Sequence, residues 1–113
     1  MPQINITLAK QPDDKTKDAL QLEIAQNMEI LPGKNIGNTT ISICGGCAMF
    51  RNGKPHDGAF IDVRLYKNSP EESKKEFAEK LFSIFKAMLD IEPECIAINF
   101  IELPNWASGG RYF

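Results

Sequence analysis

The sequence has few of the residues that metal and redox sites use. It contains one histidine and three cysteines, whereas a structural zinc site takes about four such ligands. Cys44 and Cys47 have the C-x-x-C spacing of a dithiol centre, but no helical pattern follows them, and a redox pair normally opens a helix that lowers the thiol pKa. We favour a glycine turn between two small buried residues, keep dithiol redox chemistry as an alternative, and predict no cofactor and no metal.

A strong net charge and a long apolar run are also missing. The formal net charge is −2, whereas nucleic-acid-binding domains usually carry a basic stripe. No stretch approaches the roughly 20 apolar residues of a membrane-spanning helix, and the opening residues lack the charged and then apolar pattern of a secretory signal. We therefore expect a cytoplasmic protein with reduced cysteines, no nucleic-acid partner and no membrane partner.

The spacing of apolar residues predicts four strands and two helices. The strands are predicted at residues 3–8, 39–43, 59–66 and 95–101. The first helix is predicted to begin at residues 12–14, where a proline and two acids suit a helix N-terminus, and to run to about Leu31. The second is predicted to follow Ser69, whose hydroxyl forms a capping box with the Glu72 carboxylate.

The second half of the chain repeats the first at one constant offset of 57 positions, without a gap. The pairs that coincide are Ile4 with Ile61, Leu8 with Leu65, Lys10 with Lys67, Lys17 with Lys74 and Ile41 with Ile98. A shared β-α-β plan alone does not force identities at one offset, so we infer an internal duplication. It predicts an α+β fold: a four-stranded sheet with two helices on one face, a pseudo-twofold axis, and parallel strands within each half.

The length and the hydrophobic content of 42% suit one domain with one core. We predict that residues 1–113 form this domain, with pseudo-repeats 2–43 and 59–101, a connecting loop 44–58 and a C-terminal tail 102–113. The tail is rich in aromatic residues and glycine and lacks a helical pattern. Together with a bare sheet face it predicts an oligomer in which the tail reaches over a neighbour. A tail that folds back on its own core is the alternative.

The N-terminal dipeptide carries the main catalytic hypothesis. If Met1 is removed, Pro2 becomes a free secondary amine at the start of a strand. An α-amine ordinarily has a pKa of about 7.7–8.0, and burial in an apolar pocket lowers it because the charged form loses hydration. Pro2 is then suited to act as a general base near neutral pH. Its pseudo-equivalent, Ala59, lies inside the chain and has no free amine.

Taken together, these features resemble those of the tautomerase superfamily, and within it the branch of macrophage migration inhibitory factor. The resemblance rests on the start at Met1-Pro2, the duplicated unit, the Gly33-Lys34 pair before the second strand, Ile98-Asn99-Phe100 in the fourth strand, and Asn105-Trp106 in the tail. It implies a homotrimer whose sheets form a central barrel, with an active site at each subunit interface. It also implies that Met1 is removed and that the Pro2 amine is the general base, or general acid, of keto–enol chemistry.

By this resemblance, four residues take functional positions. Pro2 falls on the catalytic proline and Lys34 on a substrate-binding lysine. Asn99 falls on a pocket asparagine contributed by the adjacent subunit, and Trp106 on an aromatic residue near the pocket mouth. The alternatives are structural: a cation at a helix C-terminus for Lys34, a barrel-lining polar residue for Asn99, and packing for Trp106.

Three further positions depart from the family pattern. Tyr66 takes the place of an aliphatic pocket residue and is assigned to substrate binding or packing. Ala97 takes the place of a tyrosine, which removes a hydroxyl donor. Arg64 lies on the strand where the family has a histidine; it is predicted to bind a substrate carboxylate, and the alternative is an ion pair with Asp62 of a flanking subunit.

The function that these residues predict is cofactor-independent keto–enol tautomerisation of a small 2-oxo or unsaturated carboxylate. The Pro2 amine would move the proton and the cationic side chains would bind the carboxylate. One alternative is hydratase, dehalogenase or decarboxylase chemistry on the same scaffold, with a protonated Pro2 as the acid. Another is a binding or signalling protein that keeps the fold without turnover.

Overall fold

The computed structural model describes residues 2–113 and contains one mixed four-stranded sheet with two α-helices on one face. The elements are β1 (Gln3–Leu8), α1 (Asp14–Gln26), β2 (Thr40–Cys44), β3 (Phe50–Arg51), β4 (Lys54–Pro55), β5 (Ala59–Tyr66), α2 (Glu71–Leu89), β6 (Ile96–Leu103), β7 (Ala107–Ser108) and β8 (Arg111–Tyr112). The sheet order β2-β1-β5-β6 places two β-α-β units side by side, which confirms the predicted fold class.

The strand pairing follows the predicted pseudo-twofold symmetry. β1 and β2 are parallel, as are β5 and β6, whereas β1 and β5 are antiparallel. Gln3 pairs with Thr40 and Ala59 with Ile96, so both parallel pairs have the same separation of 37 residues. Asn5 pairs with Asp62, its own equivalent at the offset of 57. The pseudo-twofold axis therefore passes through this central pair.

The two helices begin at equivalent positions, Asp14 and Glu71, but their N-termini are capped differently. The Asp13 carboxylate accepts the Thr16 N–H at 2.8 Å. Hydrogen bonding from the Thr16 side chain, and then from its backbone N–H, holds the pKa of Asp13 below its ordinary value. The predicted capping box at the second helix is wrong. The Ser69 N–H donates instead to the Glu102 carboxylate at 2.6 Å, because the end of β6 brings that acid to the helix start.

The first helix also ends earlier than the predicted Leu31. It stops at Gln26 and continues as a short 3₁₀ turn over Met28–Ile30. The Asn27 side chain donates to the Glu23 carbonyl at 2.8 Å and so competes with the helical pattern. Met28 and Leu31 are nevertheless fully buried, as their apolar spacing predicted.

The alternation along the strands separates a buried face from an open one. Ile4, Ile6 and Leu8 of β1 are at most 1% exposed beneath the helices. The residues predicted for the other face are half-buried or exposed: Asn5, Thr7, Thr40, Ser42, Asp62, Arg64, Ala97 and Asn99. Two polar pairs cross the strands there, Ser42 to Asn5 at 2.8 Å and Asn99 to Asp62 at 3.1 Å. They are equivalent under the offset of 57, so the duplication extends to the open face.

The connecting loop and the tail each contain a short hairpin that the sequence pattern had left without structure. β3 and β4 are joined through Asn52 and Gly53, and β7 and β8 through Gly109 and Gly110; all four residues have φ between 55° and 79°. Such left-handed pairs suit two-residue hairpin turns. The fourth strand, β6, runs to Leu103. Across residues 2–113, no helix combines the length and the apolar character needed to cross a membrane.

Glu102 joins the end of β6 to the start of α2, and its charge is predicted to stabilise the fold. Its carboxylate accepts the Lys74 ammonium at 2.8 Å and the Ser69 N–H at 2.6 Å, and these bonds hold the pKa of Glu102 below its ordinary value. We expect Glu102→Gln to lower the free energy of unfolding at neutral pH. The loss should shrink as the pH falls through the lowered pKa, because protonation removes the same charge from the parent chain.

Urea unfolding between about pH 7 and about pH 2 measures this dependence. Glu71→Gln is the matched control, because the Glu71 carboxylate lies 3.8 Å from the same ammonium and its side chain is 92% exposed. We expect little change for this control at any pH. A Glu102→Gln effect of equal size across the pH range would contradict the prediction.

Candidate functional site

A cavity of about 400 Å³ opens at the N-terminal corner of the sheet. Its wall is formed by Pro2 and Gln3 at the start of β1, Asn38 and Thr40 at the start of β2, Arg64 of β5, Leu103 of β6, and residues 105–108 of the tail. Three of the predicted site residues therefore meet in one protomer: Pro2, Arg64 and Trp106. The sheet supplies a rigid floor, and the tail supplies the opposite wall.

Pro2 is buried at the floor of this cavity. Its carbonyl accepts the Thr40 N–H at 3.2 Å, so the parallel pairing of β1 with β2 begins at Pro2 itself. This bond fixes the backbone on which a free amine would sit. Met1, and with it the predicted removal of that residue, lies outside the described residues.

Arg64 is the charged side chain among the residues that line the cavity. It lies on the open face, where it pairs in register with Gln3 of β1 and Ile101 of β6. Its side chain makes no ion pair with another residue of the described range 2–113. The guanidinium is therefore available to bind an anion that enters beside Pro2.

Trp106 is held in the wall by the tail hairpin. Its carbonyl accepts the Phe113 N–H at 2.8 Å, and the Phe113 ring lies 5.7 Å from the Tyr66 ring between centroids. The tail therefore contacts its own chain at Tyr66, and the predicted contact with a neighbouring copy stays a prediction. It closes one side of the cavity beside Pro2.

Lys34 and Tyr66 form a separate group next to the cavity rather than part of its wall. The Lys34 ammonium donates to the Tyr66 carbonyl at 3.4 Å, a long and therefore weak hydrogen bond. The Lys67 ammonium lies 5.2 Å from the Tyr66 ring centroid, and the Arg111 guanidinium lies 5.7 Å from that of Phe113. Three cations, Lys34, Lys67 and Arg111, therefore lie around Tyr66 and Phe113.

Asn99 lies away from Pro2 within the protomer. Its amide donates to Asp62 on the open sheet face at 3.1 Å, and it does not line the cavity. A contribution of Asn99 to a Pro2 site would require a second copy of the chain, as the family resemblance implies, and it stays a prediction.

A second, smaller cavity of about 160 Å³ is the pseudo-symmetric counterpart of the first. Four residues of its wall are equivalent at the offset of 57 to residues around Pro2: Ala59 to Pro2, Phe60 to Gln3, Cys95 to Asn38 and Ala97 to Thr40. The duplication thus builds the same corner twice. The second corner has an internal alanine where the first has the N-terminal proline.

The three cysteines are free thiols. Cys44 ends β2 and is exposed, and the Cys47 N–H donates to the Leu8 carbonyl at 3.0 Å. A Cβ at Gly45 would lie 2.8 Å from the Lys10 carbonyl, so the turn between the two cysteines requires glycine there. This is the glycine turn that the sequence favoured, although Cys44 is exposed rather than buried.

Ser108 is a residue of the cavity that the sequence pattern did not identify. It lines the same cavity as Pro2, and its Oγ is buried without a hydrogen-bond partner among residues 2–113. The Gly109-Gly110 pair was the available signal. A two-residue turn there predicts a hairpin that aligns Ser108 with Arg111, and this is the pairing in the structure.

Solved structures share this architecture over nearly the whole chain. The Leishmania major MIF2 structure superimposes with a TM-score of 0.91 at 14% identity and covers 100% of this chain and 97% of its own. The R7 fused 4-OT, described as a wild-type asymmetric trimer, gives a TM-score of 0.87 at 17% identity, with 97% and 94% covered. Pt0534 inactivated by 2-oxo-3-pentynoate gives a TM-score of 0.81 at 12% identity, with 97% and 95% covered.

No family model matches the sequence, and the search of curated proteins gave no match. The likeness is therefore one of structure, and at 12% to 17% identity it shows the fold rather than a particular activity. The chain has the fold of the tautomerase superfamily, shared with MIF and 4-OT structures.

Proposed function

We propose that the chain is a cofactor-independent keto–enol tautomerase of small 2-oxo or unsaturated carboxylates, with the Pro2 amine as general base. The observation that carries the proposal is the cavity that unites Pro2, Arg64 and Trp106. It combines a basic nitrogen once Met1 is removed, a cation and an aromatic wall. The Pt0534 structure adds support, because that protein of the same fold is inactivated by a reactive 2-oxo carboxylate.

The reaction is a proton shift between carbon and oxygen of the substrate. The Pro2 lone pair accepts a proton from C3 of a 2-oxo acid, and the C–H electrons form the C2–C3 double bond while the carbonyl π electrons move to oxygen. Pro2 then returns the proton to that oxygen and gives the enol. Because Pro2 is buried, we expect desolvation to lower the pKa of its amine and to favour the neutral base.

The cations around the cavity determine the substrate class in this proposal. Arg64 binds the carboxylate by charge-assisted hydrogen bonds. Lys34, beside the cavity, exchanges its weak bond to Tyr66 for the substrate or for the enolate oxygen. Tyr66 and Trp106 supply apolar walls, and Asn99 of an adjacent subunit donates a hydrogen bond. The substrate is therefore a small planar acid.

Extension of the N-terminus tests the Pro2 amine directly. In a chain with Gly-Ser placed before Pro2, the proline nitrogen is an amide without basicity. We expect kcat/KM for exchange of the C3 protons of 2-oxobutanoate in D2O, followed by NMR, to fall by about 10²- to 10⁴-fold, the usual contribution of a general base. Proteolytic removal of the extension, verified by intact mass, should restore exchange. Equal rates before and after removal would rule out the proline mechanism.

The pH dependence of the same assay separates a base from an acid. For a base, kcat/KM rises with pH through the pKa of the amine; for the hydratase, dehalogenase or decarboxylase alternative, it falls through that pKa. A protein that binds 2-oxobutanoate without any exchange would be a binding protein of the same fold.

Neutralisation of Arg64 tests the carboxylate site. Trp106 is the chain's single tryptophan and lines the cavity, so its fluorescence reports occupancy. We expect Arg64→Gln to weaken butanoate binding by about 10- to 150-fold, as a charged hydrogen bond implies. Arg111→Gln removes a cation of the tail that stands outside the cavity wall and should change affinity little. Equal losses in both variants would show a general charge effect instead.

We also propose a homotrimer. The open sheet face and its surroundings expose large apolar side chains, with Phe60 51% and Phe50 69% exposed, and β2 and β6 are unpaired sheet edges within residues 2–113. The R7 fused 4-OT supports this assembly, because that protein is described as a trimer.

Sedimentation equilibrium should give three times the 12.7 kDa chain mass. Phe60→Glu should shift the protein towards monomers, because a charge on the open face cannot be buried without a partner. Leu22→Glu places the same charge on α1 at a side chain 42% exposed and should leave the trimer intact. A parent chain that sediments as a monomer would contradict this assembly.

A cytoplasmic location completes the proposal. The net charge of −2 and the free thiols support it. The same charge balance supports a small-molecule partner rather than a nucleic acid.

A further inference from the structure

Among the polar side chains of the Pro2 cavity, Ser108 stands apart because its hydroxyl is buried and has no hydrogen-bond partner among residues 2–113. The Asn38 side chain accepts the Asn35 N–H at 3.1 Å and donates to the Gly33 carbonyl at 3.4 Å, and the side-chain amide oxygen of Asn105 accepts the Tyr112 hydroxyl at 3.4 Å. The buried Ser108 Oγ makes no such bond within residues 2–113. A buried hydroxyl without a partner is unfavourable, so its partner is to be sought in what fills the cavity.

The backbone of Ser108 is fixed while its hydroxyl can be redirected. Ser108 pairs with Arg111 in the tail hairpin, closed by two glycines in the left-handed region. The Oγ is enclosed in the observed rotamer, and rotation about the Cα–Cβ bond turns it towards the cavity that the residue lines, where the hydroxyl hydrogen can suit an acceptor. The tail then offers a neutral donor to the same cavity to which the sheet contributes the Arg64 cation.

We propose that Ser108 donates a hydrogen bond to the 2-oxo oxygen of a carboxylate held by Arg64. This inference rests on the proposed function and identifies the group that distinguishes a 2-oxo acid from a plain one. A 2-oxo acid has adjacent carboxylate and carbonyl oxygens, which suit a guanidinium and a hydroxyl that line one cavity. As the enolate forms, charge grows on the same oxygen and strengthens the bond from Ser108.

A pair of ligands that differ only in the oxo group isolates this contact. Calorimetric dissociation constants of 2-oxobutanoate and butanoate are compared in the mature parent chain and in Ser108→Ala, Ser108→Thr, Arg64→Gln and Ser83→Ala. We expect Ser108→Ala to reduce the preference for 2-oxobutanoate by about 2- to 12-fold, the range of one neutral hydrogen bond. Ser108→Thr keeps the hydroxyl and should retain the preference. Ser83→Ala removes a hydroxyl bonded to the Glu79 carbonyl on the exposed side of α2 and should change nothing.

The outcomes separate this inference from the proposed function. If Arg64→Gln weakens both ligands but Ser108→Ala leaves their ratio unchanged, the carboxylate site stands and the role of Ser108 is overturned. If Ser108→Ala instead loses stability or the trimer at an unchanged ratio, the hydroxyl has a structural partner and the inference is again overturned. If the parent chain binds neither ligand, both proposals fall.

Discussion

The antiparallel pairing of β1 with β5 is the contact on which the rest of the molecule depends. Ile4 faces Val63 and Ile6 faces Ile61, and all four are at most 1% exposed beneath the helices. Burial of each such side chain stabilises the fold by about 1.5–3 kcal/mol. A slip by one residue would turn this row to the open face and put polar neighbours into the core, so the register is strongly specified. The same register aligns Gln3 with Arg64 and thus sets the distance of that cation from Pro2.

The symmetry of this pairing creates two equivalent corners of the sheet, one at Pro2 and one at Ala59. The wall around Ala59 repeats four positions of the wall around Pro2. Under the proposed function the first corner presents the Pro2 amine once Met1 is removed, whereas Ala59 lies inside the chain and has no free amine. A free N-terminal amine cannot be copied by duplication, because the copied segment lies inside the chain. The second corner has apolar side chains such as Phe60 and Ala97 instead, and a smaller cavity.

The sequence predicted the fold well because the relevant signals are local and repeated. The offset of 57 reappears in the helix starts at Asp14 and Glu71 and in the central Asn5–Asp62 pair. The capping box failed because a distant acid, Glu102, competes for the Ser69 N–H, and no local pattern reveals a residue that the fold brings in from the last strand.

The site was less predictable than the fold, again because its contacts join residues that lie far apart in the sequence. Pro2, Arg64 and Trp106 were identified from position and resemblance, and they do meet in one cavity. Lys34 and Asn99 bond to Tyr66 and Asp62 within the protomer, and their roles towards a substrate stay predictions. No sequence motif marks Ser108. The structure singles it out because its Oγ is buried without a hydrogen-bond partner among residues 2–113.

The wall of the cavity has two parts, the sheet and the tail. In the proposed function, the sheet residues carry out the proton transfer and bind the carboxylate, and the tail residues contribute to substrate specificity. The sheet side holds the backbones of Pro2 and Arg64 at strand positions whose register is fixed by the core. The tail side is a two-residue hairpin closed by glycines with left-handed backbones, and its side chains bear little of the core. Substitutions there alter the cavity wall at small cost in stability. In the proposed site, the hydroxyl that is missing at Ala97 is supplied from the tail at Ser108, because a donor to the oxo oxygen has only to line the same cavity as the cation, not to occupy a particular strand.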